Sequence, residues 1–224
     1  MMRKDGFFCF GFIAAFCFWS ASLFFSGEQE MQVNANEVTE RKLLALTFDD
    51  GPHPVYTPML LEGLKKRNVK CTFFVTGKNV EAYPQIIEQM QEDGHLIGNH
   101  TYSHIQLTNC NLAAFREELV KTNAAITKIT EQEVIFVRPP YGLWDKSLET
   151  DLNMIPVLWT VDPVDWGTSD YSLVVQKMVR QTKENDIILL HDCYESSVKA
   201  ALSYIDLEME NGFSFVTVDE ILFD

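Results

Sequence analysis

Cysteine is scarce and unpatterned: five in 224 residues, none in C-x-x-C spacing. That excludes a cysteine-bound zinc and a disulfide-built scaffold. Cys9 and Cys17 lie in one apolar run. Cys71, Cys110 and Cys193 read as small buried or semi-buried thiols, with one disulfide among the three as the alternative. Basic residues are also few. Lys and Arg number 18 against 32 Asp and Glu, a formal net charge of −14. This excludes nucleic acid as a partner, because phosphates demand basic patches, and leaves neutral polymers such as glycans open. There is no internal repeat and no low-complexity tract. Histidine is rare, at five, so clustered histidines carry information.

What is present begins with an apolar run over 7–25, preceded by Arg3 and Lys4. A secretory h-region spans about 7–15 residues and a membrane helix about 17–25. The length predicts an N-terminal hydrophobic helix acting as an uncleaved anchor within 1–27. The flanking charges place its start inside the cell and the rest outside. Ser20-Ala21-Ser22 and Val33-Asn34-Ala35 both resemble small-residue cleavage sites, so a secreted form after cleavage is the alternative. Residues 28–41 are polar without apolar periodicity and read as a linker. Residues 42–224 read as one domain.

From 43 onward, seven short apolar or β-branched runs read as buried strands: 43–48, 71–76, 95–99, 134–137, 155–161, 187–191 and 214–218. Amphipathic stretches alternate with them. Val80, Tyr83, Ile86, Ile87 and Met90 form one helical stripe, and Leu112, Phe115 and Leu119 begin a second. Val198, Ala201, Ile205 and Met209 form a third, with Gly212 as C-cap. The alternation predicts an α/β domain with a parallel sheet, closed or open.

Polar residues gather at the strand ends. Asp49 and Asp50 end the first strand, and His100 and His104 follow the third. Arg138 follows the fourth, Asp162 and Asp165 the fifth, and His191 and Asp192 the sixth. In parallel α/β folds these ends converge on one mouth. Thr47-Phe48-Asp49-Asp50-Gly51-Pro52 joins two carboxylates whose repulsion a cation or a division of labour relieves; taken alone, it reads as an Asp-Gly-Pro turn. His100 and His104, at i and i+4, share a face if the backbone is helical. With Asp50 they make a His-His-carboxylate set that leaves a position for water, a catalytic zinc pattern. In Arg138-Pro139-Pro140-Tyr141-Gly142 the prolines lack an N–H. The Tyr141 N–H is the first donor after them, and it can face an oxyanion. Asp162-Pro163-Val164-Asp165-Trp166 and Ile188-Leu189-Leu190-His191-Asp192 complete the series, with His191 as a candidate general acid.

Taken together, the five motifs TFDDGP (47–52), HTYSH (100–104), RPPYG (138–142), DPVDW (162–166) and ILLHD (188–192) resemble those of the polysaccharide deacetylases with a NodB-homology domain, carbohydrate esterase family 4. The likeness runs from about Lys42 to Leu222 and includes connecting stretches such as 213–222. Two positions depart from the family pattern outside the motifs: Leu96 stands where Glu is frequent, and Cys71 where Ala is usual. The resemblance implies a distorted (β/α)7 barrel with parallel strands. It implies Asp49 as catalytic base, with Asp50, His100 and His104 binding a divalent metal, usually Zn2+, with Co2+ or Mn2+ as alternatives. Arg138 would orient Asp49, Asp165 would tune the acid His191, and Trp166 and Leu189 would line a pocket for the acetyl methyl.

The expectation is a metal-dependent N-deacetylase acting outside the cytoplasm on a cell-wall polysaccharide, first on N-acetylglucosamine of peptidoglycan. N-acetylmuramic acid, chitin oligosaccharides and acetylxylan follow in that order. A silent glycan-binding module should have lost Asp49, a metal ligand or His191, and none is lost.

Overall fold

The computed structural model describes residues 42–108 and 110–223. The apolar run over 7–25 and the linker over 28–41 lie outside them. Among the described residues no helix is long and apolar enough to cross a membrane. In chain order the domain runs β1 (Lys42–Asp49), α1 (Tyr56–Arg67), β2 (Thr72–Val75), α2 (Gly77–Ala82), α3 (Pro84–Glu92), β3 (Leu96–Asn99), α4 (Leu112–Thr130) and β4 (Phe136–Val137). It continues with α5 (Ser147–Leu152), β5 (Ile155–Pro156), α6 (Tyr171–Gln181), β6 (Asp186–His191), α7 (Glu195–Glu210), β7 (Phe213–Phe215) and α8 (Val218–Phe223).

All strand pairs are parallel, in the order β5-β4-β3-β2-β1-β6, with β7 on the first residues of β1. From Leu44 to Phe48 the central strand β1 is buried on both faces. That is why it reads as a continuous apolar run rather than an alternation. The helices cover the sheet through side chains such as Leu60, Leu64, Ile87, Val174 and Ile205, packed with Leu46, Phe73 and Leu190 in one core cluster.

Two expectations need correction. The stripe Val80–Met90 is not one helix. Tyr83 leaves helical geometry at φ −135°, ψ 55°, and Pro84 opens α3 at its first turn, the position where proline fits. The expected fifth strand over 155–161 is also broken. Only Ile155 and Pro156 pair with β4, and the chain rejoins the sheet at a single bridge, Val161 to Ile188. The sheet is therefore a curled half-barrel rather than a fully laddered barrel. The cause lies in the gap: the carbonyls of Val157 and Leu158 accept from the Arg138 guanidinium, at 3.0 and 3.2 Å. Gly212 closes α7 as expected, at φ +85° with its N–H on Met209 O. Cys71, Cys110 and Cys193 are all free.

Register sets the rim. Asp49 pairs with both Phe74 and His191, Val75 with Asn99, and Asn99 with Val137. The strands therefore end level, and the residues just past Val75, Asn99, Val137 and Val161 reach the same mouth as Asp49 and His191.

Candidate active site

At that mouth lies a cavity of about 300 Å³. Its walls include Asp49, Asp50, His100, His104, Tyr141, Trp166, Leu189 and His191. Of the residues to which the resemblance gives a role, only Arg138 and Asp165 are missing from the wall. Both are completely buried behind it.

Asp50, His100 and His104 offer one ligand atom each, all within 4.8 Å of one another. Asp50 Oδ1 is 3.5 Å from His100 Nε2 and 3.4 Å from His104 Nε2. The geometry is not the helical one expected for an i, i+4 pair. Residues 100–104 are a loop in which Thr101 (φ 61°) and His104 (φ 59°) are left-handed. The loop is tied down at several points: Thr101 N–H donates to Asn99 Oδ1 at 2.7 Å, Gly77 N–H to Thr101 O, and Ser103 N–H to Glu118 Oε2. His100 Nδ1 lies 2.6 Å from the Arg138 carbonyl. Its N–H donates there, which leaves Nε2 free to face the cavity. Burial, reinforced by the neighbouring His100, pulls His104 below the ordinary histidine range against the pull of Asp50. Neutral imidazole is the metal-binding form. Burial raises the Asp50 carboxyl, but the His100 and His104 imidazoles facing it at 3.5 and 3.4 Å, with His191 beyond, outweigh burial and hold it low. Two imidazole nitrogens and an ionised carboxylate thus fit a divalent metal such as zinc. Cys193 does not extend the set. Burial and the charges of Asp50 and Asp192 push its thiol up to about 12, so it stays protonated.

Asp49 is held separately. Arg138 Nη1 donates to Asp49 Oδ1 at 2.9 Å and also reaches Thr47 Oγ1. The guanidinium lies over the Phe74 ring at 4.3 Å. Its five N–H groups suit this fixed fork, where a lysine would not. Asp165 grips His191 twice, accepting from its backbone N–H and from Nδ1, both at 2.8 Å. Burial lowers the imidazole, but the Asp165 hydrogen bond and charge, with Asp49 and Asp50 beyond, outweigh it and raise His191 to about 9.

The backbone is strained at this rim. Of nine non-glycine residues with positive φ among those described, five lie in the motifs: Asp50, Thr101, His104, Tyr141 and Val164. The β-branched Thr101 and Val164 are costly there. Such strain persists where surrounding contacts over-determine it, typically at functional sites.

Some site features were not singled out from the sequence. Trp159 and Tyr194 line the cavity. Asp192, named from the sequence at the end of the sixth strand, does not partner His191. It is buried, accepts from Thr57 Oγ1 and fills the space where a Cβ on Gly51 would sit, 2.3 Å from its carboxylate oxygens. Its carboxyl is pushed up to about 7 by burial, opposed by the Thr57 hydrogen bond and aided by Asp50. Only the Asp-Gly pair hinted at this tight approach.

A family model described as polysaccharide deacetylase matches residues 36–157. The chain is 36% identical over 181 residues to the peptidoglycan-N-acetylmuramic acid deacetylase PdaC of Bacillus subtilis, covering 81% of this chain and 39% of that protein. It is 36% identical over 182 residues to a peptidoglycan-N-acetylglucosamine deacetylase of Bacillus cereus, covering 78% and 66%. The chain thus spans less than two thirds of either relative. The solved structure of Bacillus subtilis PdaC superposes with a TM-score of 0.78 at 36% identity, over 81% of this chain and 90% of that one.

Proposed function

The chain belongs to the polysaccharide deacetylase family, and from that premise we propose that it hydrolyses the acetamide of N-acetylglucosamine in peptidoglycan, outside the cytoplasm. One observation carries the reading. The Asp49–Arg138 pair, the Asp50-His100-His104 set and the His191–Asp165 pair open on a single cavity. The apolar run over 7–25 would export the domain and tether it at the membrane.

A divalent metal held by Asp50, His100 and His104 would supply Lewis acidity toward water and the amide carbonyl. Zinc suits this donor set, with cobalt or manganese as alternatives. Asp49, oriented by Arg138, takes the proton of the attacking water. The Tyr141 N–H, on the turn after Pro139-Pro140, stabilises charge on the carbonyl oxygen. Trp166 and Leu189 enclose the acetyl methyl. His191, kept protonated by Asp165, gives its proton to the sugar nitrogen, without which an amide nitrogen is too poor a leaving group. Acetate and a free amino sugar result.

One point favours a neutral sugar at the reacting position over N-acetylmuramic acid. Among the described residues the cavity wall contains no Lys or Arg to pair with a lactyl carboxylate. The test is mass spectrometry of muropeptides after treatment of peptidoglycan with the purified protein. The reading expects the missing acetyl on glucosamine; loss from muramic acid would overturn it.

A further inference from the structure

A second cavity, about 270 Å³, opens beside the catalytic one, and the two share Asp50 and His104. Its other walls include Lys78, Asn79, Tyr102 and Ser103. Among the described residues Lys78 is the only Lys or Arg lining either cavity. It is exposed and, unlike Lys65, Lys66 and Lys199, forms no ion pair among the described residues.

Its position is indexed to the candidate metal ligands through the backbone. Lys78 N–H donates to Tyr102 O and Gly77 N–H to Thr101 O, both at 3.0 Å, which locks the start of α2 to the loop carrying His100 and His104. Asn79 Nδ2 donates to Asp50 O at 2.8 Å. A Cβ on Gly77 would collide with Thr122 and Tyr102 at 2.6 Å, so this close approach requires glycine. The Lys78 backbone thus stands at a fixed offset from the candidate metal ligands, and its side chain lines the cavity that begins at Asp50 and His104.

We propose that the second cavity is a subsite for the sugar next to the one being deacetylated, and that Lys78 reads a carboxylate carried by that neighbour. The inference rests on the deacetylase reading above. In peptidoglycan every second sugar bears a lactyl group, either free as a carboxylate or extended by a peptide with carboxylates of its own. Chitin bears neither. With no other Lys or Arg on either cavity wall among the described residues, Lys78 favours an anion on the neighbouring sugar over one elsewhere, which is how charge gives specificity more than raw affinity. Because Lys78 is exposed, its contact changes affinity only about two- to fivefold.

The test compares full-length wild type, Lys78→Gln and Lys78→Arg on three polymers: intact peptidoglycan, strands stripped of peptides by an amidase, and peptidoglycan whose carboxylates have been converted to amides. Acetate release gives KM, and co-sedimentation gives binding without turnover. A nitrophenyl acetate monitors the catalytic centre. Lys78→Gln should raise KM and weaken co-sedimentation about two- to fivefold on at least one carboxylate-bearing polymer. It should leave the amidated polymer and the aryl ester unchanged, and Lys78→Arg should restore the wild-type values. Added salt should shrink the difference. An effect on peptide-free strands identifies the lactyl carboxylate, and one confined to intact peptidoglycan identifies a peptide carboxylate. Equal values for wild type and Lys78→Gln on all three polymers, or an equal loss that includes the amidated one, would overturn the proposal. Failure of the wild type to release acetate from any polymer would count against the deacetylase reading instead, and co-sedimentation would still decide the role of Lys78.

Discussion

Replacing Asp165 by Asn tests the acid half of the site with little change of shape. Asn keeps an oxygen for one of the two His191 N–H groups, which Asp165 accepts on separate oxygens, and loses the charge. In the wild type His191 stands at about 9 against an ordinary 6.5, a difference worth roughly 3 kcal/mol at about 1.4 kcal/mol per unit. Burial opposes that rise, and the Asp165 hydrogen bond and charge are its largest sources; Asp49 and Asp50 add to it. A cation bound at Asp50, His100 and His104 offsets the last two, which makes Asp165 decisive in the working enzyme. Without its charge, His191 should fall to 6.5 or below. At pH 8 a group titrating near 9 is about 90% protonated, and one near 6.5 about 3%. Acetate release by Asp165→Asn should therefore drop by up to about 30-fold at pH 8 and recover as the pH falls toward 6, the alkaline limb of the rate profile moving down by up to about 2.5 units. Stability gives an independent reading in metal-free protein. Between 6.5 and 9 the folded state holds a proton that the unfolded state has lost. The His191 contribution is thus complete below 6.5 and lost as pH rises through about 9. Thermal melting of the wild type should decline across that window more steeply than that of Asp165→Asn. A uniform loss of activity with an unmoved alkaline limb would refute the electrostatic role and leave Asp165 as a positioning group alone.

His191→Ala should lose about 10²- to 10⁴-fold on the sugar amide and far less on a nitrophenyl acetate, whose leaving group departs without a proton; equal losses on both substrates would remove the acid assignment. Gly51→Ala should destabilise by about 1–3 kcal/mol, because its new Cβ must displace the buried Asp192 carboxylate, and the double change Gly51→Ala with Asp192→Gly should recover part of the melting temperature. Asp192→Asn should raise the melting temperature more at pH 8 than at pH 5: burial lifts this carboxyl from 3.8 to about 7, so its penalty grows as pH rises between those values and is complete only above about 7.

The site was legible in the sequence to the extent that chemistry is local. Asp49, Asp50, His100, His104, Arg138, Asp165 and His191 each end or follow a strand, and parallel strands deliver such residues to one rim. The two histidines meet without the helical backbone on which their i, i+4 spacing would rely. A helix would have aligned them by its period, whereas two left-handed residues in a loop do so here. Nothing in Thr101 advertises a positive φ, which is imposed by Asn99, Gly77 and Glu118. The break in the fifth strand was illegible for a similar reason. Pro156 hinted at it, but the competitor for the carbonyls of Val157 and Leu158 is Arg138, about twenty residues upstream. The fit of Asp192 against Gly51 joins residues far apart in sequence, and only the folded chain brings them together.

Acetate release from peptidoglycan by the purified full-length protein, measured before chelation, after it and after zinc is returned, and alongside Asp49→Asn, bears most directly on the central claim. The account predicts release that chelation abolishes and zinc restores, and an Asp49→Asn protein that binds zinc as the wild type does while losing nearly all turnover. Undiminished release from metal-free protein would contradict the Asp50-His100-His104 assignment, and wild-type turnover in Asp49→Asn would contradict the base.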